Sequence, residues 1–247
     1  MTQSALKNER SLDSRLDVGS YVLLIAGSPK DRDLCSLQLL ASEAAYVLAA
    51  DSGANLAHKA NIILDYLVGD FDSIAAETFA HYLSQKTEML SADPHKDETD
   101  LQIALNFIDR HPQMRALPLV ITNVLGGRTD HELAALGAIG RYPQLNPRIY
   151  EDDVRVFFLD AALPERAELT LTSPEDDTPK LPISVIPLYG KTIVSITGME
   201  WNLNRACLLA LDSLGVSNYL TAPEARVIVH EGSVAVFVTH ANGNSNS

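Results

Sequence analysis

From Tyr21 to Pro147 the chain alternates short apolar runs with stretches whose apolar residues recur at helical spacing. "YVLLIAG" (21–27), "YVLAAD" (46–51), "YLVGDF" (66–71), "EMLSA" (88–92) and "LPLVITNVLGG" (117–127) read as strands. "DLCSLQLLASEA" (33–44), "GANLAHKAN" (53–61), "AAETFAHYLSQ" (75–85), "DLQIALNFIDRH" (100–111) and "ELAALGAIGRY" (132–142) read as the helices between them. Alternation of this kind predicts a mostly parallel α/β sheet, because strands buried under helices on both faces need apolar residues on both sides. Beyond residue 150 the period drops to two. "VRVFFL", "AELTLTS", "ISVIPLY", "KTIVSITG" and "ARVIVHEGSVAVFVTH" predict an all-β sandwich, with "HEGSV" as a hairpin turn around Gly232. "NRACLLAL" (204–211) reads as one helical interruption, and "SPEDDTPKLP" (173–182) as a long exposed loop. The expected organisation is a tail over 1–20, an α/β domain over 21–150 and a β-sandwich over 151–247.

Composition narrows the partners. The chain has 247 residues and a net charge of −13, which speaks against a nucleic-acid partner or an anionic membrane surface. A phosphate compound bound in such a field calls for a divalent cation. No apolar run approaches membrane-spanning length, and "MTQSALKNERSLDSRLD" has no apolar signal core. Two cysteines, Cys35 and Cys207, form neither a disulfide framework nor a metal cluster, so a reducing cytoplasm is expected.

Candidate chemistry gathers where strands end. Asp51 follows one strand, Asp70 and Asp72 the next; Lys96, Asp97 and Asp100 precede a helix; Gly126, Gly127, Arg128, Asp130 and His131 follow the fifth strand. Ligands of open parallel sheets bind outside those carboxyl ends. Each cluster has an ordinary reading as well. Thr99-x-x-Gln102 and Thr129-x-x-Glu132 fit the capping box, and Asp70 with Asp72 fits a solvated turn. Asp51, Asp70, Asp72, Asp97 and Asp100, five aspartates at one edge, repel one another unless a hard cation such as Mg²⁺ sits among them. Arg128 and Lys96 suit phosphate oxygens, and glycines permit close backbone approach. Neither G-x-x-x-x-G-K-[ST] nor a G-x-G-x-x-G after the first strand is present.

"ADSGAN", "GDFDSI", "HKDETDLQIAL" and "LGGRTDH", in this order, resemble the thiamine pyrophosphokinase family, as do "SVIPLYG", "VSITGMEWNL" and "GVSNYL" further on. The resemblance implies an α/β domain followed by a β-sandwich, and a homodimer with active sites between subunits. It also implies transfer of the pyrophosphoryl group of ATP to the hydroxyl of thiamine, giving thiamine diphosphate and AMP. By position it implies Asp70, Asp72 and Asp100 as Mg²⁺ ligands, and Asp51, Asn55, Lys96, Asp97, Thr99, Gly127 and Arg128 around ATP. Thiamine falls to Asp130, His131, Ser195, Trp201, Ser217 and Asn218. Without the surrounding "TGMEWNL", Trp201 reads as a core aromatic. Ser52, Ala135 and Tyr219 depart from the family's more frequent Gly, Asn and Glu. Two alternatives keep the aspartates: a pyrophosphokinase for another heterocyclic alcohol such as a pterin, and a non-catalytic nucleotide sensor.

Overall fold

The computed structural model describes residues 9–11, 19–91, 98–172 and 181–239. In chain order the elements are β1 (Glu9–Ser11), β2 (Val22–Ile25), α1 (Leu34–Glu43), β3 (Tyr46–Ala50), α2 (Gly53–Lys59), β4 (Tyr66–Gly69), α3 (Ala76–Leu83) and β5 (Glu88–Ser91). Then come α4 (Asp100–Arg110), α5 (Pro112–Arg115), β6 (Leu119–Thr122), α6 (Thr129–Ile139) and β7 (Arg148–Tyr150). The last run holds β8 (Val154–Asp160), β9 (Glu168–Thr172), β10 (Ile183–Pro187), β11 (Lys191–Thr197), β12 (Leu203–Leu209), β13 (Glu224–Glu231) and β14 (Ser233–Thr239). The chain divides into two compact units, Val18–Asp152 and Met1–Asp17 with Asp153–Ser247.

In the Val18–Asp152 unit the strands pair in parallel in the order β7-β6-β2-β3-β4-β5. β2 and β6 are buried along their whole length, and each large apolar side chain so buried contributes about 1.5–3 kcal/mol. The strand order turns back at β2, with β3 on one side and β6 on the other. The crevice beyond the strand ends at such a switch point is where ligands of these sheets bind. Helix α4 starts at Thr99, whose hydroxyl accepts from the Gln102 amide at 3.3 Å, as the capping pattern predicts. Helix α6 does not use Thr129 in that way. Its N-cap is Arg128, and the Glu132 carboxylate instead accepts from the amides of Gly126 (2.8 Å) and Gly127 (2.6 Å).

The other unit holds an antiparallel sheet β10-β14-β8 and a five-stranded sheet β1-β9-β13-β11-β12. One core joins them: Phe157 and Leu159, Ile183 and Val185, and Val234, Val236 and Val238 pack with Leu169, Leu171, Val194, Ile196, Val227 and Val229. That is a sandwich. Two expectations need correction. "NRACLLAL" is not a helix but lies mostly in β12, an edge strand in which only Leu208 is buried. "HEGSV" does not close a hairpin, because both edges of β13 are already taken by β9 and β11; Gly232 turns the chain into the opposite sheet. Within the expected tail, Glu9–Ser11 pairs in parallel with Thr170–Thr172. The rest of the tail, and residues 173–180 of the expected loop, lie outside the described residues. No helix among the described residues is long and apolar enough to cross a membrane.

Candidate active site

Asp51 follows β3, Asp70 follows β4, and Asp100 opens α4 at its positive N-terminal end. Their carboxylates converge, with one oxygen of each within 4.8 Å of the others, and all three residues are half-buried. Asp51 holds a left-handed backbone (φ 45°), unusual for a residue with a side chain. One of its oxygens accepts from the Ser73 hydroxyl; the other, Oδ1, is buried with no hydrogen-bond partner. A buried acceptor left open beside two like charges is the donor set a hard cation satisfies. The residues therefore fit a divalent ion such as Mg²⁺.

Gly69 is what lets them meet. Its φ of +145° favours glycine, and a Cβ there would lie 3.2 Å from Asp100 Oδ1 and 3.3 Å from Asp51 Cβ. Asp72 stands beside the trio, exposed, and its amide donates to Asp70 Oδ1 at 3.2 Å. The Asp70 charge, with desolvation and the charges of Asp51 and Asp100 adding, pushes the Asp72 carboxyl above the usual range. Asp72 thus feels the same field, but the converging trio contains Asp51 where sequence reasoning has Asp72. The signal for Asp51 lay in its place at the end of the neighbouring strand.

Of the remaining nucleotide candidates, Asn55, Thr99, Gly127 and Arg128 fall among the described residues, on α2, at the start of α4 and in the loop after β6. Asn55 on α2 bridges to the loop after β4, donating to Ser73 O (3.2 Å) and accepting from the Ala75 amide (2.9 Å). It holds the aspartate loop in place. Gly127 and Arg128 lie in the loop after β6, where Glu132 occupies the glycine amides. Arg128 forks onto Asp130 (Nε–Oδ1 3.2 Å, Nη2–Oδ2 2.7 Å), both exposed. These hydrogen bonds, chiefly, lower the Asp130 carboxyl to about 2 and raise Arg128. His131 is exposed beside them. Lys96 and Asp97 lie outside the described residues.

In the β unit, Ser195 sits where β11 and β12 lose register between Val194 and Ile196. Its hydroxyl meets His230 Nε2 at 2.8 Å and accepts from the amide of Arg205 (3.0 Å), a residue at φ 47°. The Asn218 side chain accepts from the Trp201 amide (3.1 Å) and donates to Trp201 O (2.8 Å). Trp201 itself is 55% exposed and meets Tyr219 edge-on at 5.7 Å between centroids. A tryptophan pinned by its backbone with its ring this exposed is not a core aromatic. Ser217 is exposed, with a left-handed backbone (φ 60°). His230 and Tyr219 are neighbours sequence reasoning did not place at the site, since only the pairing of β11 with β13 brings His230 to Ser195.

The family descriptions "Thiamin pyrophosphokinase, catalytic domain" and "Thiamin pyrophosphokinase, vitamin B1 binding domain" match residues 37–150 and 169–234. The chain belongs to the thiamine pyrophosphokinase family. Among curated members, Thiamine pyrophosphokinase 1 of Arabidopsis thaliana is 28% identical over 186 residues, covering 68% of each chain. Thiamine pyrophosphokinase of Bacillus subtilis is 25% identical, covering 80% of this chain and 88% of its own. Against Thiamine pyrophosphokinase 1 of rice the match is 25% identical and spans 66% of this chain but 61% of that protein's length. The fold is similar to that of thiamin pyrophosphokinase from Candida albicans, with a TM-score of 0.76 at 18% identity over 95% of this chain and 93% of that one. The Bacillus subtilis family structure gives 0.72 at 22% identity, over 90% and 99%.

Proposed function

We propose that this chain is an ATP-dependent thiamine diphosphokinase, transferring the pyrophosphoryl group of ATP to the hydroxyl of thiamine. The observation that carries the reading is the convergence of Asp51 and Asp70, at two strand ends, with Asp100 at the start of α4, in a chain of this family. Asp70 and Asp100, with Asp72 and Asp51 at their sides, would hold Mg²⁺, which supplies charge neutralisation along the triphosphate. Arg128 and Lys96 bind phosphate oxygens through charge-assisted hydrogen bonds. Asn55, Asp97, Thr99 and Gly127 complete the ATP side. The thiamine oxygen attacks the β-phosphorus, the bond to the α-phosphate oxygen breaks, and AMP leaves with the electron pair. The hydroxyl proton passes to a neighbouring carboxylate and then to solvent.

Asp130, His131, Ser195, Ser217, Asn218 and Trp201 take thiamine, a cation with two aromatic rings that suits an open indole face. The exposed apolar side chains Leu209, Leu211, Leu214 and Val216 suit a homodimer surface. Free Cys35 and Cys207 suit a reducing compartment, the cytoplasm.

Incubation with ATP, Mg²⁺ and thiamine is expected to yield AMP and thiamine diphosphate in equal amounts. Release of ADP with thiamine monophosphate refutes the reading. Trp201→Ala is expected to raise the thiamine KM about 10-fold, as loss of a cation–π and stacking partner does, while the ATP KM stays put. A thiamine KM equal to that of the parent would remove Trp201 from the site.

A further inference from the structure

β6 and β7 pair only through Val120–Arg148 and Ile121–Ile149. Beyond that ladder Asn123 adopts φ 58° and the chain turns towards the Gly126–Arg128 loop. Three amides there no longer face a strand. One side chain takes all of them: Glu151 Oε1 accepts from Val124 (2.8 Å) and Leu125 (3.1 Å), and Oε2 accepts from Asn123 (3.2 Å). Glu151 is 1% exposed, and its charge is met by the buried guanidinium of Arg32, which also reaches Asp152 at 3.3 Å. Arg32 belongs to the loop after β2, and that loop is tied to the same segment. Asn123 Nδ2 donates to Ala26 O and Ser28 O, and Ser28 Oγ donates to Leu125 O. The stem of Lys30 packs so close to Gly126 that a Cβ on that glycine would lie 2.5 Å from Lys30 Cδ.

A buried ion pair is weak evidence for stability, since a well-packed apolar pair of similar volume often does as well. What an apolar residue could not do here is hold three consecutive amides in a fixed curve. We infer that Glu151 is a positioning residue: its carboxylate sets the path of Asn123–Leu125 and, through it, the placement of Gly127 and Arg128 for the phosphates of ATP. It touches no substrate. The inference rests on the proposed nucleotide role of that loop.

The test separates positioning from mere stability. Glu151→Gln keeps one acceptor oxygen but turns an amide donor towards backbone N–H groups and Arg32. Its ATP affinity, measured by calorimetry with Mg²⁺ and no thiamine, is expected to fall about 10-fold, the lower range for a supporting residue. In assays the ATP KM should rise with the thiamine KM unchanged, and hydrogen exchange should quicken at residues 123–128. Met114→Ala, in the buried core of α5, serves as a variant that lowers the melting temperature without touching these hydrogen bonds. Parental ATP affinity in Glu151→Gln, or an equal loss in Met114→Ala, overturns the inference. Should Glu151→Gln not fold, Glu151→Asp, whose shorter arm withdraws the carboxylate, is read by the same criteria. A parent that binds ATP yet makes no thiamine diphosphate defeats the functional reading alone. In a parent that binds no ATP, unchanged exchange at 123–128 in the variant defeats the Glu151 inference by itself.

Discussion

Asp70→Asn is expected to lower kcat at least about 100-fold, the scale of removing one preorganised charge-stabilising group, without lowering the melting temperature. The two effects have one cause. Three carboxylates converge with an orphaned Asp51 oxygen among them, so deleting one charge removes repulsion from the cation-free protein while removing a ligand for the ion. The amide oxygen of Asn still accepts from the Asp72 N–H, so the local turn survives. Thermal unfolding with and without Mg²⁺ gives an independent readout. The parent gains stability from the ion by mass action, and the variant loses that gain. Activity near the parent's, or a Mg²⁺-dependent shift equal to the parent's, would take Asp70 out of the metal site.

Gly69→Ala is expected to be nearly as damaging to turnover, about 100-fold, because displacement of catalytic groups by about an ångström has that cost. Unlike Asp70→Asn, it should also destabilise, by about 1–3 kcal/mol for a side chain forced into a glycine backbone region. The new methyl would press on Asp100 Oδ1 at 3.2 Å and on Asp51 Cβ at 3.3 Å, the two residues the glycine lets approach. Urea unfolding and steady-state kinetics measure the two effects. A variant as stable and as active as the parent would mean that the aspartates do not depend on the strand ending in glycine.

The parallel sheet was legible because its strands are buried on both sides and therefore read as unbroken apolar runs, as "VLLI" and "LVIT" do. β12 was not, for a definite reason. Its pairing with β11 slips between Val194 and Ile196, and Arg205 is left-handed. The slip breaks the two-residue alternation that marks a half-buried strand. What remains, "ACLL", has a spacing a helix shares. In the site, Asp70 and Asp100 were visible as strand-end and helix-start acids, and Gly69 as the residue between strand and aspartates. Glu151 was invisible: it stands in "YEDDV", three acids in a row that look like a solvated turn. Only its burial against three amides distinguishes it from its neighbours. The same holds for Glu132, which fits a capping pattern but hydrogen-bonds to the preceding glycines.

The parallel pairing of Glu9–Ser11 with Thr170–Thr172 has a consequence for biogenesis. Val18–Asp152 is one uninterrupted segment, able to pair its six parallel strands as soon as its last residues leave the ribosome. The other unit draws on both flanks of that segment, so its five-stranded sheet must wait for partners translated long after β1. Closing that span makes the β unit the high-contact-order step. Until then β1 stays without its ladder.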